Sequence, residues 1–553
     1  MINGDKWDEG SFGSTDAARM SLTDFISIGG VFADPHGNPK AMHDRIIVGR
    51  KGSGKTFYLR KLQDEAIKRD LLTLSEVAPL DTQIIVHFLK RIREYVYTLD
   101  QGGDFEIFVD RRKSVISVWR SVWDKAIVLS AFSLALGFLR ASKTVKIDEQ
   151  FIHLFKNVDE LEAYIIDRFD NLFALPALPF SPQDALQTFY DQFESSRKLH
   201  KFLNDPKWIE FNKICRGCIR DVPPISIYID AIDAEFENAP EAWLICQLGL
   251  YRAIAQSGFT HDTFSGRVHI VAALRDTVYA AALKSEHSTR EYQNPFIRAL
   301  EWTPPEVSRF FVEKLRRVLG KRASKSAGLN DLLKTWIGFD TLINGREKPE
   351  AVSDYILRHG RMLPRDIVLF GNAITIEMQE RAAVGSPFGA GSLRKVVAEV
   401  SDVIGRENIR ICINEMLSNS EYFTEYLHDL RSKPADLYDF RKYVEDKIAR
   451  FFEILGKETV TQVEIKASLL KAELASDADF MEGAQTYYRM DNVLWRHGLL
   501  GIFYVSGSAK RWRYNWEGTI SADVLPLKIA KLGFHPCLID VYHLKPSADG
   551  PVY

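Results

Sequence analysis

Eight consecutive residues, Gly49-Arg50-Lys51-Gly52-Ser53-Gly54-Lys55-Thr56, have the spacing G-x-x-x-x-G-K-[ST]. A backbone that curls until successive N–H groups face inward can hold phosphate oxygens, and a Cβ would block that approach. Gly49, Gly52 and Gly54 stand where such a loop needs glycine, with Arg50, Lys51 and Ser53 between them. Lys55 has the length to reach the β and γ phosphates of a nucleotide, and Thr56 offers a hydroxyl to Mg²⁺. A helix starting here, with Phe57 in its first turn, would add partial positive charge from its N-terminus. The alternative is a chance glycine-rich turn.

Phosphate chemistry of this kind also needs a carboxylate at the end of another strand to hold the metal. Ile225-Ser226-Ile227-Tyr228-Ile229-Asp230 supplies one, followed by Ala231-Ile232-Asp233. Asp230 is assigned to Mg²⁺, and Asp233, with Glu235 in reserve, to orienting or deprotonating the attacking water. A strand that merely ends in solvated acids is the competing reading. Arg275, at the end of the run Arg267 to Leu274, is a candidate sensor of the γ phosphate or the partner of Asp276 in a surface salt bridge. In Arg361-Met362-Leu363-Pro364-Arg365-Asp366, Pro364 suits a first helical position. Arg365 is therefore a candidate cation at the nucleotide, and an ordinary helix start explains the same residues.

Three kinds of element must position these groups. Arg45 to Val48 reads as a strand, and Lys55 to Arg69 has helical spacing through Phe57, Leu59, Leu62, Ala66 and Ile67. Apolar runs at Gln83 to Phe88, Ile225 to Ile229 and Val268 to Leu274, separated by helical stretches, predict further strands of a parallel sheet covered by helices. A helical insertion spans about 113–202. From Pro304 onward the pattern is helical: Pro304 to Leu319, Leu329 to Ile343, Pro364 to Arg381, Leu393 to Leu417 and Tyr438 to Leu455. Residues 459–518 read as helices followed by a hairpin, Gly501 to Val505 and Arg511 to Trp516, which suggests a winged helix.

The expected class is thus α/β: a P-loop NTPase core with a parallel sheet, then a helical lid and a C-terminal winged-helix-like domain. The expected boundaries are an N-terminal arm at 1–44, the core at 45–328, the helical region at 329–457, the winged unit at 458–523 and a tail at 524–553. A chain of 553 residues has room for three or four domains. Apolar residues make up 46% and charged residues 26%, which excludes a disordered or collagen-like chain. Lys plus Arg (72) balances Asp plus Glu (74), so any contact with polyanions must come from local patches. The first residues lack a secretory pattern, and the apolar stretch Ala126 to Leu139 is shorter than the ~20 residues of a membrane span. It reads as a buried helix, with no membrane partner expected.

Five scattered cysteines fit a reducing cytoplasm. Cys215 and Cys218 form a C-x-x-C without the second pair a zinc site needs.

The glycine-rich loop after a strand, the Ile-Tyr-Ile-Asp-Ala-Ile-Asp segment, the strand ending in Arg275-Asp276, Glu301-Trp302 leading into a helix, and Leu363-Pro364-Arg365-Asp366 together resemble STAND and KAP-type P-loop ATPases. More narrowly, the chain is similar to the bacterial P-loop ATPases of this kind found in antiviral defence loci. The resemblance covers about 45–383, and the Asp-x-x-Asp arrangement is similar to that of NACHT-type switches. It implies ATP with Mg²⁺, a nucleotide-driven conformational switch, and either self-assembly into a homo-oligomer or coupling to a separate effector protein. No arginine finger is fixed by it, and no nuclease, TIR or protease motif is attached.

Two basic groups bear on partners. Lys314, Arg316, Arg317, Lys321, Arg322 and Lys325 form one, and Lys510, Arg511 and Arg513 flank Trp512 in the other. Each suits nucleic-acid phosphates, or a solvated helix face and a protein-packing wing. Phe534-His535-Pro536 reads as a docking tail or an ordinary turn. The leading expectation is a slow or partner-stimulated ATPase switch. The alternatives are a nucleic-acid-dependent loader or remodeller gripping DNA through the winged unit, and a scaffold that binds ATP without hydrolysing it.

Overall fold

Ile46, Ile47 and Val48 are fully buried and lie in strand β1 (Arg45–Gly49), the strand from which the glycine-rich loop departs. The structure is a computed structural model that describes residues 7–16, 19–22, 26, 28, 31, 45–76, 81–100, 111–142, 155, 157–173, 180–230, 238–255, 264, 266–285, 297–345, 347–418, 437–480, 489–506, 509–514, 525 and 531–547. It divides into two compact units. One comprises His36–Gly49 and Tyr58–Ala299; the other comprises Met1–Pro35, Arg50–Phe57 and Leu300–Tyr553.

The first unit is built on a parallel sheet of β1, β2 (Leu72–Glu76), β3 (Ile225–Ile229), β4 (Val268–Arg275) and β5 (Ile297–Ala299), in the order β2-β3-β4-β1-β5. Every residue of β3 and β4 is buried, as expected for central parallel strands covered on both faces. Its helices are α1 (Lys55–Ile67), whose first turn belongs to the other unit, α2 (Thr82–Asp100), α3 (Arg111–Ser142), α4 (Val158–Phe169), α5 (Pro182–Thr188), α6 (Ser196–Asn204), α7 (Lys207–Arg220), α8 (Pro240–Ala255) and α9 (Asp276–Ser285).

One expected strand is corrected. Gln83 to Phe88 lies inside α2, because Ile84, Ile85, Phe88, Leu89, Ile92 and Val96 continue at helical spacing beyond the short apolar run. The additional strands are β2, whose Thr73 and Ser75 dilute the apolar signal of an edge strand, and the three-residue β5. The described residues of the insertion carry α3, α4, α5 and α6, and α3 is its longest helix. Trp119, Trp123, Ala126, Leu129, Phe132 and Leu136 on α3 are fully buried. The helix is long and apolar enough to cross a membrane, but 72% of its most apolar window is buried within the protein. Gly249 on α8 permits the approach of α3, since a Cβ there would lie 2.5 Å from Trp119 Cβ. Trp123 Nε1 donates to the Cys246 carbonyl at 3.0 Å across the same interface.

The second unit is mainly helical: α10 (Pro304–Leu319), α11 (Leu329–Ile337), α12 (Val352–His359), α13 (Pro364–Ala383), α14 (Ala390–Leu417), α15 (Leu437–Leu455), α16 (Gln462–Lys471), α17 (Met490–Arg496) and α18 (Pro536–Tyr542). The helix expected over Leu329 to Ile343 stops at Ile337. Gly338 (φ +94°) caps it in the left-handed conformation, and β6 (Thr341–Ile343) then pairs antiparallel with β7 (Pro349–Ala351). In the N-terminal segment, Trp7 and Phe12 are buried. Lys314 Nζ donates to the Phe12 carbonyl at 2.8 Å, and Phe12 N–H to Asn372 Oδ1 at 2.9 Å.

The C-terminal strands β8 (Thr459–Val460), β9 (Leu500–Ser506), β10 (Ala509–Arg513) and β11 (Leu532–Phe534) form an antiparallel sheet in the order β10-β9-β11-β8. The expected hairpin is thus β9 and β10; its turn residues Gly507 and Ser508 lie outside the described residues. Phe534 belongs to β11, His535 caps α18, and both are fully buried, so Phe534-His535-Pro536 is core and not a docking tail.

Candidate functional site

At the sheet, Ile46, Ala272 and Ile229 stand in one row across β1, β4 and β3. Gly49 ends β1, Arg275 ends β4 opposite it, and Asp230 follows the last residue of β3. Three predicted residues therefore lie at or just past the C-terminal ends of neighbouring strands of one parallel sheet, with Asp230 level with Ala273, two residues before Arg275, on the edge where ligands bind in open α/β sheets. Arg275 is buried and Asp230 half-buried. Asp233 and Glu235 lie outside the described residues. The Asp230 main-chain carbonyl accepts from Gln183 Nε2 of α5 at 3.5 Å.

Residues 50–57 are held in the second unit. Gly52 and Gly54 have φ of +89° and +91°, a conformation that requires glycine in practice. Ser53 N–H donates to the Arg50 carbonyl at 3.1 Å, and Lys55 Nζ reaches the same carbonyl at 3.1 Å, so the loop curls over its own lysine. Ser53 is fully buried, and its Oγ has no hydrogen-bond partner. Thr56 is half-buried at the second position of α1, and Phe57 is buried beside it.

Two residues donate to the loop's carbonyls from outside it. Trp302 Nε1 donates to the Ser53 carbonyl at 3.0 Å, and the Arg365 main-chain N–H to the Gly52 carbonyl at 3.4 Å. A Cβ on Gly52 would lie 2.9 Å from Arg365 Cβ, so glycine is needed there for space as well as for φ. Arg365 opens α13 with Pro364 at the first helical position, as the sequence predicts. Its guanidinium Nη1 donates to both oxygens of Glu407, at 2.7 and 2.9 Å, and Lys51 Nζ meets Glu407 Oε1 at 2.8 Å. Burial pushes the Glu407 carboxyl up, but the charges of Arg365 and Lys51 overcome it and hold the group down at about 2.

Helix α14, which carries the half-buried Glu407, also carries a fully enclosed carboxylate, Glu415. Glu415 accepts from Arg496 Nη2 at 2.5 Å and meets His497 Nε2 at 2.5 Å. Its burial also opposes ionisation, and the charge of Arg496 with the His497 hydrogen bond brings it to about 2. Arg50 Nη2 donates to the Arg496 carbonyl at 3.0 Å. The loop is therefore tied to α14 through Lys51 and to the end of α17 through Arg50.

Sequence reasoning missed Glu407 and Gln183. Neither carries a local signal: Glu407 is one of several acids on a long helix, and Gln183 is the second residue of a short one.

The six-cation cluster is divided. Lys314 is buried, and Arg316 pairs with Glu313 at 2.6 Å, whereas Arg317, Lys321, Arg322 and Lys325 are exposed. In the hairpin, Trp512 packs against Phe503 and Arg513 is exposed. All five cysteines are free and buried. Burial drives the Cys215 thiol well up and Cys218 to about 12, which makes the C-x-x-C pair inert. Among the described residues no cluster of three or more metal-ligating side chains occurs.

No protein-family model matches the chain, and no curated protein matches it. What fold and site define is an α/β protein with a five-stranded parallel sheet, compatible with Rossmann-like or P-loop cores, a helical region after it and a small C-terminal antiparallel sheet.

Proposed function

We propose that the chain is an ATP-binding and hydrolysing molecular switch with a P-loop core, and that its nucleotide state controls assembly or a partner effector. The observation that carries this reading is the G-x-x-x-x-G-K-T loop itself. It leaves the C-terminal edge of a parallel sheet, has left-handed glycines at its second and third glycine positions, and runs into a helix at Lys55. In this reading residues 49–56 hold the polyphosphate and Lys55 reaches the β and γ phosphates. Thr56 and Asp230 offer hard oxygen donors, which suit a Mg²⁺ ion held by few protein ligands and several waters. When bound, that ion offsets charge developing on the transferred phosphoryl group. Asp233 orients the attacking water, Arg275 and Arg365 report loss of the γ phosphate, and the helical region after the sheet acts as a lid.

The resemblance to STAND and KAP-type ATPases supports a cytoplasmic role in a bacterial multi-protein system of the antiviral kind, with a homo-oligomer or a separate effector as partner. The test is phosphate release by the purified protein with Mg²⁺. Turnover lost in Asp230→Ala supports the reading; equal turnover in the variant, or none under any condition in the wild type, rejects it.

A second reading, a nucleic-acid-dependent ATPase with a winged-helix domain, is favoured by the exposed cations Arg317, Lys321, Arg322, Lys325 and Arg513. Stimulation by DNA or RNA that falls on removal of these charges selects it over the partner-controlled switch.

A further inference from the structure

Gln183 is 4% exposed, and its Oε1 is buried without a hydrogen-bond partner. Leaving a buried amide oxygen unsatisfied costs about 1–3 kcal/mol, so such an atom in an ordered site calls for an explanation. Its position is tightly fixed. Ser181 caps α5 with a reciprocal bond to Asp184, and Pro182 sits at the first helical position. Just before the cap, Ser130 Oγ of α3 donates to the Phe180 carbonyl at 2.9 Å, and Phe180 N–H donates to Ser133 Oγ at 3.3 Å. The amide nitrogen is also engaged, at 3.5 Å from the Asp230 carbonyl. The helical insertion thus delivers a held amide to the end of β3, with one acceptor oxygen left over.

We propose that Gln183 is a positioning residue of the nucleotide site: its Nε2 is tethered to the Asp230 main chain, and its Oε1 accepts a hydrogen bond from a water at the end of β3 that turnover requires. This rests on the ATPase reading above. An amide in this place orients water without exchanging a proton with it.

The test compares wild type with Gln183→Met, which preserves length and packing, and Gln183→Ala. Three quantities are read: ATP dissociation constant with Mg²⁺, kcat, and the thermal midpoint of the protein without nucleotide. The expected result is a kcat lower by about 10–100-fold with the ATP dissociation constant within about twofold, the loss of one orienting hydrogen bond. The nucleotide-free midpoint of Gln183→Met stays level or rises, because an orphaned polar atom has been removed. Unchanged kcat in both variants overturns the inference and leaves the ATPase reading standing. So does a fall in the Gln183→Met midpoint together with weaker ATP binding, which marks a structural role. A wild type that binds no ATP, or binds it and never hydrolyses it, overturns the ATPase reading and this inference with it.

Discussion

The Arg365 main-chain N–H donates to the Gly52 carbonyl, and the same residue's guanidinium shares Glu407 with Lys51. One carboxylate of α14 therefore sets both a cation of the glycine-rich loop and the first turn of α13. Replacing Glu407 with Gln removes the charge that balances two partly buried cations. We expect a loss of about 1–3 kcal/mol in urea unfolding, at the level of charge-assisted hydrogen bonds, because Lys51 is substantially solvated.

The glutamates of α14 also set an acid limit. Glu407 and Glu415 are both held near 2, below the ~4.3 of an unfolded chain. Their folded values are depressed, so their contribution is present in full above the unfolded value and is lost as pH falls from about 5 toward 2. Stability measured by denaturant at stepped pH should drop across that window, with a shallower drop in Glu415→Gln. That variant should also lose about 3–5 kcal/mol at neutral pH, since Arg496 would be left buried without its counter-charge.

Gly249→Ala tests the packing of the insertion's central helix. Its new methyl would stand 2.5 Å from Trp119 Cβ and 3.1 Å from the Trp119 carbonyl carbon, neither of which is the end of a flexible chain. Overpacking of this kind should cost about 1–3 kcal/mol, read as a lower thermal midpoint.

Trp302→Phe keeps the ring against Phe310 but deletes the donor to the Ser53 carbonyl. We expect about 1 kcal/mol of destabilisation and a several-fold weaker ATP dissociation constant, measured by equilibrium binding, because the loop loses one of the hydrogen bonds that hold its carbonyls from outside.

Legibility followed burial and range. β3 and β4 were readable because central parallel strands are apolar throughout, and α13 because Pro364 marks its start; α14 was readable by its sustained apolar spacing, though it begins at Ala390, three residues before the expected Leu393. Leu72 to Glu76 escaped because an edge strand tolerates Thr and Ser, and Gln83 to Phe88 misled because six apolar-rich residues fit either period. The glycines of the loop announced their own backbone conformation. Glu407, Gln183 and the burial of Lys314 did not, since each depends on a partner 42 or more residues away in the chain, and no local pattern encodes such a meeting: Glu407 with Arg365, Gln183 with Asp230, Lys314 with Phe12.

The most direct measurement is equilibrium binding of ATP with Mg²⁺ to the wild-type protein and to Lys55→Ala. The account predicts saturable binding by the wild type and a loss of about 100-fold in the variant, equivalent to about 2.7 kcal/mol of charge-assisted contact with phosphate. Equal affinity in the two proteins would contradict it, as would a wild type that binds no nucleotide.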